Sequence, residues 1–568
     1  MTVSLASLFT TPVSHQSQRF LFSLGSLFCL SVIATADEPP ARPQPIAVVN
    51  VASMERVLND IDGVFELAER SEISDLIGGF LGRVHDLKGV DRKRPFGVMV
   101  FLDGASIPPR PLVVSYIPVD NIDDLIATVG QGPVKPEPVP GKANRYRLKT
   151  PGPMISVAVK EKYVYTCDNA EILEEELPQP ETAFNTLTQK YDLALSVRPK
   201  NLSPLLKEVF LTFLRTSSEG QLQRRDKESE SEYKLRRANG VSTLKLIEQI
   251  IGQTEQISLG LDASKEKQSG LVELTIEATP DSEYGKYLKD LGSKPSLFDA
   301  LVSDQQPFVV RGSWGLDSRE RTLAKELLDV AETESINRVD LADTAAPLKK
   351  LFESLRATAE KGDLDFCVQF VPLPSQSFVL LGGVKVVGGN NMASGLGEFL
   401  TRMKSHGGLQ EVQTDIDTHA GVVFHRLKGK DIPDREVRLY GTEPSLYLGA
   451  SDRILWFAVG GSQALPQLKG AIDKVYGSVG KPTASWNGWP IQLIVRAAPW
   501  LELPPGDSDR EKQDVRRMQN AFAKQPDALR LDVRPQENGI VTRLQLDAGY
   551  LRLLGLAVAR RVDRAVKP

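Results

Sequence analysis

Two kinds of hydrophobic periodicity alternate along this 568-residue chain. The run IAVVNV, which starts at Ile46, is apolar and rich in β-branched residues, and it predicts a strand. Apolar residues then recur every three or four positions after Ser53 and again from Ile73, which predicts two amphipathic helices. The second half repeats this feature with helical stripes from Leu323 and from Leu348. Each half of the chain is therefore expected to open with a pair of helices.

Apolar runs with a β-rich composition follow these helices in the first half. Phe96 to Leu102 and Pro111 to Val119 flank a Gly/Pro segment, as in a hairpin, and Asp120 is placed to cap the next helix. A Pro-rich loop from Gly130 to Gly141 leads into several short strands and a helix from Asn201. Because strands adjoin strands in this order, the pattern predicts a largely antiparallel sheet with packed helices, an α+β fold class.

The two halves also contain similar sequences. Leu259 to Ala278 reads LGLDASKEKQSGLVELTIEA, and Leu529 to Ala548 reads LRLDVRPQENGIVTRLQLDA. Other short segments match between the halves in the same order, which predicts a tandem duplication with domains at 46–295 and 305–560. Each copy is long enough to have its own hydrophobic core, so we expect two homologous domains that meet near residues 295–305.

The N-terminal residues have the pattern of a secretory leader. Arg19 precedes the apolar run from Phe20 to Ile33, and the small residues of ATA lie just before Asp37. The sequence therefore predicts a signal peptide at 1–36, a Pro-rich spacer at 37–45, and an exported protein, periplasmic or extracellular. A membrane anchor is the alternative, but the apolar run is shorter than the roughly 20 residues that span a bilayer. No transmembrane span is expected after cleavage.

The composition indicates the class of protein and limits the partners that are expected. The chain is 41% hydrophobic and 25% charged, as in soluble globular proteins, and its net charge of -4 argues against nucleic acid as a partner. Only Cys167 and Cys367 remain after the predicted cleavage, too few for a disulfide framework, and both are expected to be small buried residues.

Sequence motifs for catalysis are missing or incomplete. The chain has no G-x-S-x-G, H-E-x-x-H or C-x-x-C motif. The segment GSVGKPT from Gly477 resembles a phosphate-binding loop, but its glycines are too close together, and Pro482 stands where a Ser or Thr should ligate magnesium. No catalytic residue and no cofactor are therefore predicted, and an enzyme is the less favoured interpretation.

One cluster has the composition of a metal site. In DIDTHAGVVFH, Asp415, Asp417 and His419 alternate, so that on a strand they would share one face, and His425 would return after a turn at Gly421. Carboxylate and imidazole ligands suit zinc or manganese. The same alternation is also typical of the solvated face of an ordinary edge strand.

The second candidate site is aromatic. All five tryptophans lie in the second half, and Trp486, Trp489 and Trp500 are close in sequence. Exposed, they could stack on sugar rings or on a protein partner, whereas buried they would fill a core around a Gly/Pro turn. They are candidate ligand-binding residues.

The leader, the spacer and two large α+β copies together resemble secreted bacterial proteins known only as tandem domains of unknown function. This resemblance implies no activity, ligand or catalytic residue. We expect an exported, non-catalytic binding or structural protein of the bacterial envelope that uses an inter-domain cleft, with an envelope partner, an extracellular partner or a polysaccharide as its ligand. The alternative is a secreted hydrolase, metal-assisted or glycan-directed, with its site in the second copy.

Overall fold

The fold is that of a computed structural model, which describes residues 44–83, 88–103, 110–131, 134–150, 152, 154–338, 344–403, 409–478, 487–504 and 508–566. The predicted signal peptide, most of the spacer and Trp486 lie outside these ranges. The α+β prediction is confirmed, because helices are combined with a large antiparallel sheet. Contacts divide the chain into two compact units, one with the described residues of 1–56 and 80–197, the other with those of 57–79 and 198–568.

The elements of the chain up to residue 197 are β1 (Ala47–Val51), α1 (Met54–Leu67), α2 (Ser71–Arg83), β2 (Phe96–Asp103), β3 (Arg110–Pro118), α3 (Ile122–Gly130), β4 (Lys135–Pro138), β5 (Arg145–Lys149), β6 (Ile155–Lys160), β7 (Tyr163–Cys167), α4 (Pro180–Ala183), α5 (Asn185–Lys190) and β8 (Leu193–Val197). The strands pair antiparallel in the order β8-β1-β2-β3-β7-β6-β5-β4.

The predicted hairpin of the first unit is present as β2 and β3, with Val100 opposite Val113. Its core includes Met99 and Tyr116, and the Tyr116 hydroxyl donates a hydrogen bond of 2.7 Å to the buried Asn50 side chain. The predicted cap of the next helix is wrong by one residue. Asn121, not Asp120, has the extended backbone of an N-cap, and its side-chain oxygen accepts from two amides of the first turn.

The remaining elements are α6 (Pro204–Leu222), α7 (Glu230–Gln253), β9 (Thr254–Ser264), β10 (Ser269–Ala278), α8 (Glu283–Asp290), β11 (Phe308–Gly315), α9 (Ser318–Arg338), α10 (Ala345–Lys361), β12 (Asp363–Leu373), β13 (Ser377–Lys385), α11 (Gly389–Met403), β14 (Leu409–His419), β15 (Val422–Gly429), α12 (Asp434–Tyr440), β16 (Ser445–Ala450), β17 (Ile454–Gly460), α13 (Ala464–Ser478), β18 (Ile491–Arg496), α14 (Ala498–Leu501), α15 (Asp509–Phe522), β19 (Ala528–Gln536), β20 (Gly539–Leu546) and α16 (Ala548–Val566).

Strands of the second unit pair antiparallel in the order β9-β10-β20-β19-β18-β11-β12-β13-β17-β16-β15-β14. The two similar sequences found above form the hairpins β9–β10 and β19–β20. These hairpins lie side by side, because β10 pairs with β20 from Gly270 opposite Leu546 to Glu277 opposite Gly539.

The strand order of β11 to β18 has the same pattern as that of β1 to β8, with each strand number raised by ten. The recurrence concerns strand order alone, and the tandem duplication stays a prediction. The domain boundaries at 46–295 and 305–560 stay predictions.

The core of the second unit surrounds Trp456, which is fully buried against Phe298 and packs among residues of β13, β15 and α13. A charged pair is also buried in the second unit. The Arg311 Nε is 3.2 Å from the Asp299 Oδ1, and the two side chains are 2% and 4% exposed. Cys167 and Cys367 are buried and carry free thiols. Among the helices described, none is long and apolar enough to cross a membrane.

Candidate functional site

The predicted metal cluster lies on the β14–β15 hairpin, where Ala420 and Gly421 form the turn. The expected alternation is interrupted, because the strand register shifts between Gln413 and Asp417. Asp415, inside this bulge, has a φ of 56°. A bulge adds residues to one strand and reorients their side chains, so Asp415 departs from the simple alternation, whereas Asp417 and His419 keep it opposite Phe424 and Val422.

Asp417 and His419 already have partners in the second unit. Lys469 of α13 forms an ion pair with Asp417, whose other oxygen accepts the Thr418 amide at 2.7 Å. The bond from Lys469 lowers the pKa of Asp417 below its ordinary value. The His419 Nε2 is 2.7 Å from the Asp473 Oδ1, also on α13. Both side chains therefore join the hairpin to that helix.

His425 is buried, with 3% of its surface exposed. Its Nδ1 accepts the Asp415 amide at 3.2 Å, which fixes the bulge against β15. Burial lowers the pKa of His425, since the charged imidazolium loses its hydration, while the nearby Asp415 carboxylate acts in the opposite direction. This histidine is a neutral hydrogen-bond acceptor in the hairpin.

The predicted metal ligands are consequently engaged with other protein groups. Within the described ranges, no three His, Cys, Asp or Glu side chains are grouped so as to hold a metal ion. The reason is the bulge at Asp415 together with the pairing of Asp417 and His419 to α13. A turn at Gly421, which the sequence indicated, is present with a φ of 79°.

The tryptophans also have structural contacts. The Trp500 Nε1 donates to the Pro307 carbonyl at 3.0 Å, and its ring lies 4.9 Å from that of Phe370 between centroids. The Arg534 guanidinium covers the Trp489 ring at 4.2 Å from its centroid. Because β18 separates them in the chain, Trp489 precedes one end of this strand and Trp500 follows the other. The two rings do not form a common stacking surface there.

A pocket of about 450 Å³ opens beside the β14–β15 turn. It is lined by Leu297, Asn390, Ala420, Gly421, Ser451, Asp452, Arg453, Ile454, Val475 and Tyr476. The residues come from a turn before β11, the first turn of α11, the β14–β15 turn, the β16–β17 turn, the start of β17 and the end of α13. We call this feature the turn pocket.

The close approach of α11 to the β16–β17 turn depends on a glycine. The Gly389 amide donates to the Asp452 carbonyl at 3.1 Å. A Cβ atom at Gly389 would collide with the backbone of Ser451 and Asp452, so only glycine allows this contact. The contact places Asn390 at the rim of the turn pocket.

The turn pocket has an apolar floor and a polar rim. Ile454 and Val475 are 2% and 0% exposed, and the half-buried Tyr476 ring packs edge-on against Trp456, with centroids 6.5 Å apart. At the rim, Asp452 and Arg453 are 65% and 63% exposed, with the Arg453 Nε 3.5 Å from the Asp452 Oδ2. This arrangement can bury apolar surface while it hydrogen-bonds polar groups at the edge.

Reasoning from the sequence missed this pocket. Its lining residues are scattered from Leu297 to Tyr476, and none of them belongs to a recognisable motif. The local signals are the turn at Gly421 and the glycine pair Gly388–Gly389 ahead of a helical stripe, and neither shows which other segments approach.

Comparison of the chain with protein-family models, with curated proteins and with solved structures finds no match. Its function is therefore inferred from its own sequence and from the geometry of its described residues.

Proposed function

We propose that this chain is an exported, non-catalytic binding protein of the bacterial envelope and that its ligand occupies the turn pocket. The turn pocket is the observation that carries this proposal. Its volume of about 450 Å³ lies within the range of roughly 300–1,000 Å³ that is usual for small-molecule sites.

The chemistry of the lining supports binding. The partly exposed Leu297 and Tyr476 offer apolar surface to a ligand, while Asn390, Asp452 and Arg453 offer hydrogen bonds at the rim. A few polar groups over an apolar floor orient a ligand and supply specificity. The leader pattern before Asp37 supports export of the binding protein.

Neighbouring acids and bases favour binding over catalysis. The Asp417 carboxylate is held by Lys469, and the buried His425 ring is used as an acceptor by the Asp415 amide. A general acid or base must reach the substrate proton within hydrogen-bonding distance. These two groups have structural roles instead.

One observation favours the alternative of a secreted hydrolase. His419, directly before the lining residue Ala420, is 2.7 Å from the Asp473 carboxylate, and a carboxylate that orients a histidine is a common general-base arrangement. If the protein hydrolysed a member of a glycoside, ester and peptide substrate panel and His419→Ala abolished that turnover while thermal unfolding was unchanged, the hydrolase would replace the binding protein.

The binding proposal is tested on protein purified from the envelope fraction of cells that export it. Native mass spectrometry measures whether a small ligand co-purifies. We expect an adduct on the wild type, its loss in Asn390→Trp, which fills the rim of the turn pocket, and its retention in Asn391→Trp. Asn391 is a matched control, because it is also exposed in the first turn of α11 but does not line the pocket.

Absence of an adduct from the wild type, or equal adducts on both tryptophan variants, would contradict the proposed site. Circular dichroism of each variant shows that the fold is retained.

A further inference from the structure

We infer that the ligand class of the turn pocket is a neutral saccharide, bound as one segment of a longer glycan. The inference rests on the proposed function, since it identifies the chemistry of the ligand at the same pocket. Four properties of the pocket bear on this inference: its charge, its hydrogen-bonding capacity, its apolar surface and its open side.

The charge of the lining favours a neutral ligand. Asp452 and Arg453 are the only ionised side chains among the lining residues, and their closest charged atoms are 3.5 Å apart. Their charges offset each other at this distance, so the rim has no excess charge to attract an anion or a cation. An ion at the rim would meet one like and one opposite charge, so it would gain little net electrostatic attraction there.

The rim has the hydrogen-bonding groups that neighbouring hydroxyls need. A hydroxyl both donates and accepts, the Asp452 carboxylate only accepts, and the Arg453 guanidinium only donates. Asn390 supplies an amide that does both, and its side chain makes no hydrogen bond within the described part of the chain. Adjacent acceptors and donors therefore match the alternating requirements of vicinal hydroxyls.

The floor suits the apolar face of a sugar ring. Leu297 is partly exposed and presents aliphatic surface above the buried Ile454 and Val475, and Tyr476 combines an aromatic ring with a polar hydroxyl. Trp456 packs edge-on against Tyr476 and so restricts its orientation. A pyranose has carbon-bound hydrogens on its faces, which match the apolar floor. Its hydroxyls lie around its edge, where they match the polar rim.

The side of the pocket at the β14–β15 turn is open. A Cβ atom built on Gly421 would meet no atom of the described residues within 4 Å, whereas Gly389 on another side is closely packed. Among the described residues, none blocks a glycan chain that leaves the pocket beside Gly421. This geometry is consistent with recognition of an internal or terminal segment of a polysaccharide, and it assigns sugar binding to the turn pocket, away from Trp489 and Trp500.

Isothermal titration calorimetry on the purified full chain tests the inference. The neutral probes are cello-, malto- and N-acetylated chito-oligosaccharides, and the charged probes are oligogalacturonate and deacetylated chitosan oligosaccharides. We expect saturable binding of at least one neutral probe. Asn390→Ala and Asp452→Ala should each weaken it by about tenfold, the effect of losing a hydrogen bond worth about 1.4 kcal/mol, and Asn391→Ala should not.

The outcomes separate the inference from the proposed function. Pocket-dependent binding of a charged probe, with no binding of neutral probes, overturns the neutral-saccharide inference but retains the binding function. No binding of any probe overturns the inference, while the co-purified adduct still decides the function. Neutral binding that is unchanged in Asn390→Ala and Asp452→Ala overturns the assignment to this pocket. Both substitutions are at exposed positions, where stability normally changes by less than about 0.5 kcal/mol.

Discussion

Asp299 and Arg311 form an ion pair in the core of the second unit, where water does not screen their charges. Burial raises the pKa of Asp299 and lowers the pKa of Arg311, and each charge partly offsets the effect on the other. Arg311 also donates to the Trp489 carbonyl at 3.0 Å. The pair thus links three separate segments of the chain.

Asp299→Asn should lower the free energy of unfolding of the second unit by about 3 kcal/mol, because the buried guanidinium loses its ionic partner. Urea unfolding followed by tryptophan fluorescence measures this loss, since all five tryptophans lie between Trp314 and Trp500. Asp304→Asn is the control, because Asp304 is 62% exposed and its pair with Arg530 spans 3.9 Å. A loss below about 1 kcal/mol in both variants would show that burial adds little to the pair.

His425 should make the second unit sensitive to acid. Its pKa is lowered in the folded state by burial, so the unfolded chain binds the proton more readily. The stabilising contribution is fully present above the ordinary value of about 6.5 and is lost as the pH falls through that value toward the folded pKa.

His425→Asn retains an acceptor near the Asp415 amide but removes the titration. We expect its melting temperature to fall less than that of the wild type between about pH 7.5 and 5. His419→Asn is the matched control at a partly exposed ring. Equal changes in the pH profiles of both variants would show that the acid sensitivity does not originate in burial of His425.

The β14–β15 turn shows how an element is fixed by backbone conformation. Ala420 and Gly421 have φ values of 50° and 79°, and His419 lies opposite Val422 across this two-residue loop. Left-handed values at both positions are those of a type I′ turn, in which Asn-Gly is the favoured pair. Ala420 is therefore a strained choice at its position.

Ala420→Asn should raise the free energy of unfolding by about 0.5 kcal/mol, and Gly421→Ala should lower it by about 1 kcal/mol, because alanine tolerates a positive φ poorly. Urea midpoints at an unchanged slope measure both effects. A Gly421→Ala protein as stable as the wild type would argue against the left-handed turn.

Other elements show what local sequence can predict. The β2–β3 hairpin and the two similar hairpins β9–β10 and β19–β20 follow from apolar runs separated by turn residues. The bulge at Asp415 does not, because it depends on how β14 is paired with β15. The predicted alternation therefore holds for Asp417 and His419, which both reach α13, and fails at Asp415 in the bulge.

At the scale of the whole molecule, the leader gives a direct prediction. Export should remove residues 1–36 and leave Asp37 as the N-terminus, because small residues at Ala34 and Ala36 follow the apolar run. Intact-mass measurement of the protein from the envelope fraction tests this, and Ala36→Arg should block processing. An intact Met1 on the wild-type envelope protein would contradict the predicted cleavage.

The duplication hypothesis also belongs to this scale. Similar sequences predicted two equivalent halves, and the strand order of β1 to β8 recurs in β11 to β18, while the duplication itself stays a prediction. The sequence did not indicate that β10 of the first half pairs with β20 of the second. Periodicity describes the two faces of a strand, but the identity of its neighbour depends on non-local hydrogen bonds.

The sequence by itself determined the α+β class and the individual hairpins, because side-chain periodicity and turn residues act over a few positions. Tertiary structure alone decided the partners of Asp417 and His419, the burial of His425 and the packing around Trp500. It also assembled the turn pocket from segments up to about 180 residues apart, at Leu297 and Tyr476. The proximity of these segments arises from the packing of helices on a sheet, and it cannot be predicted from the spacing of residues along the chain.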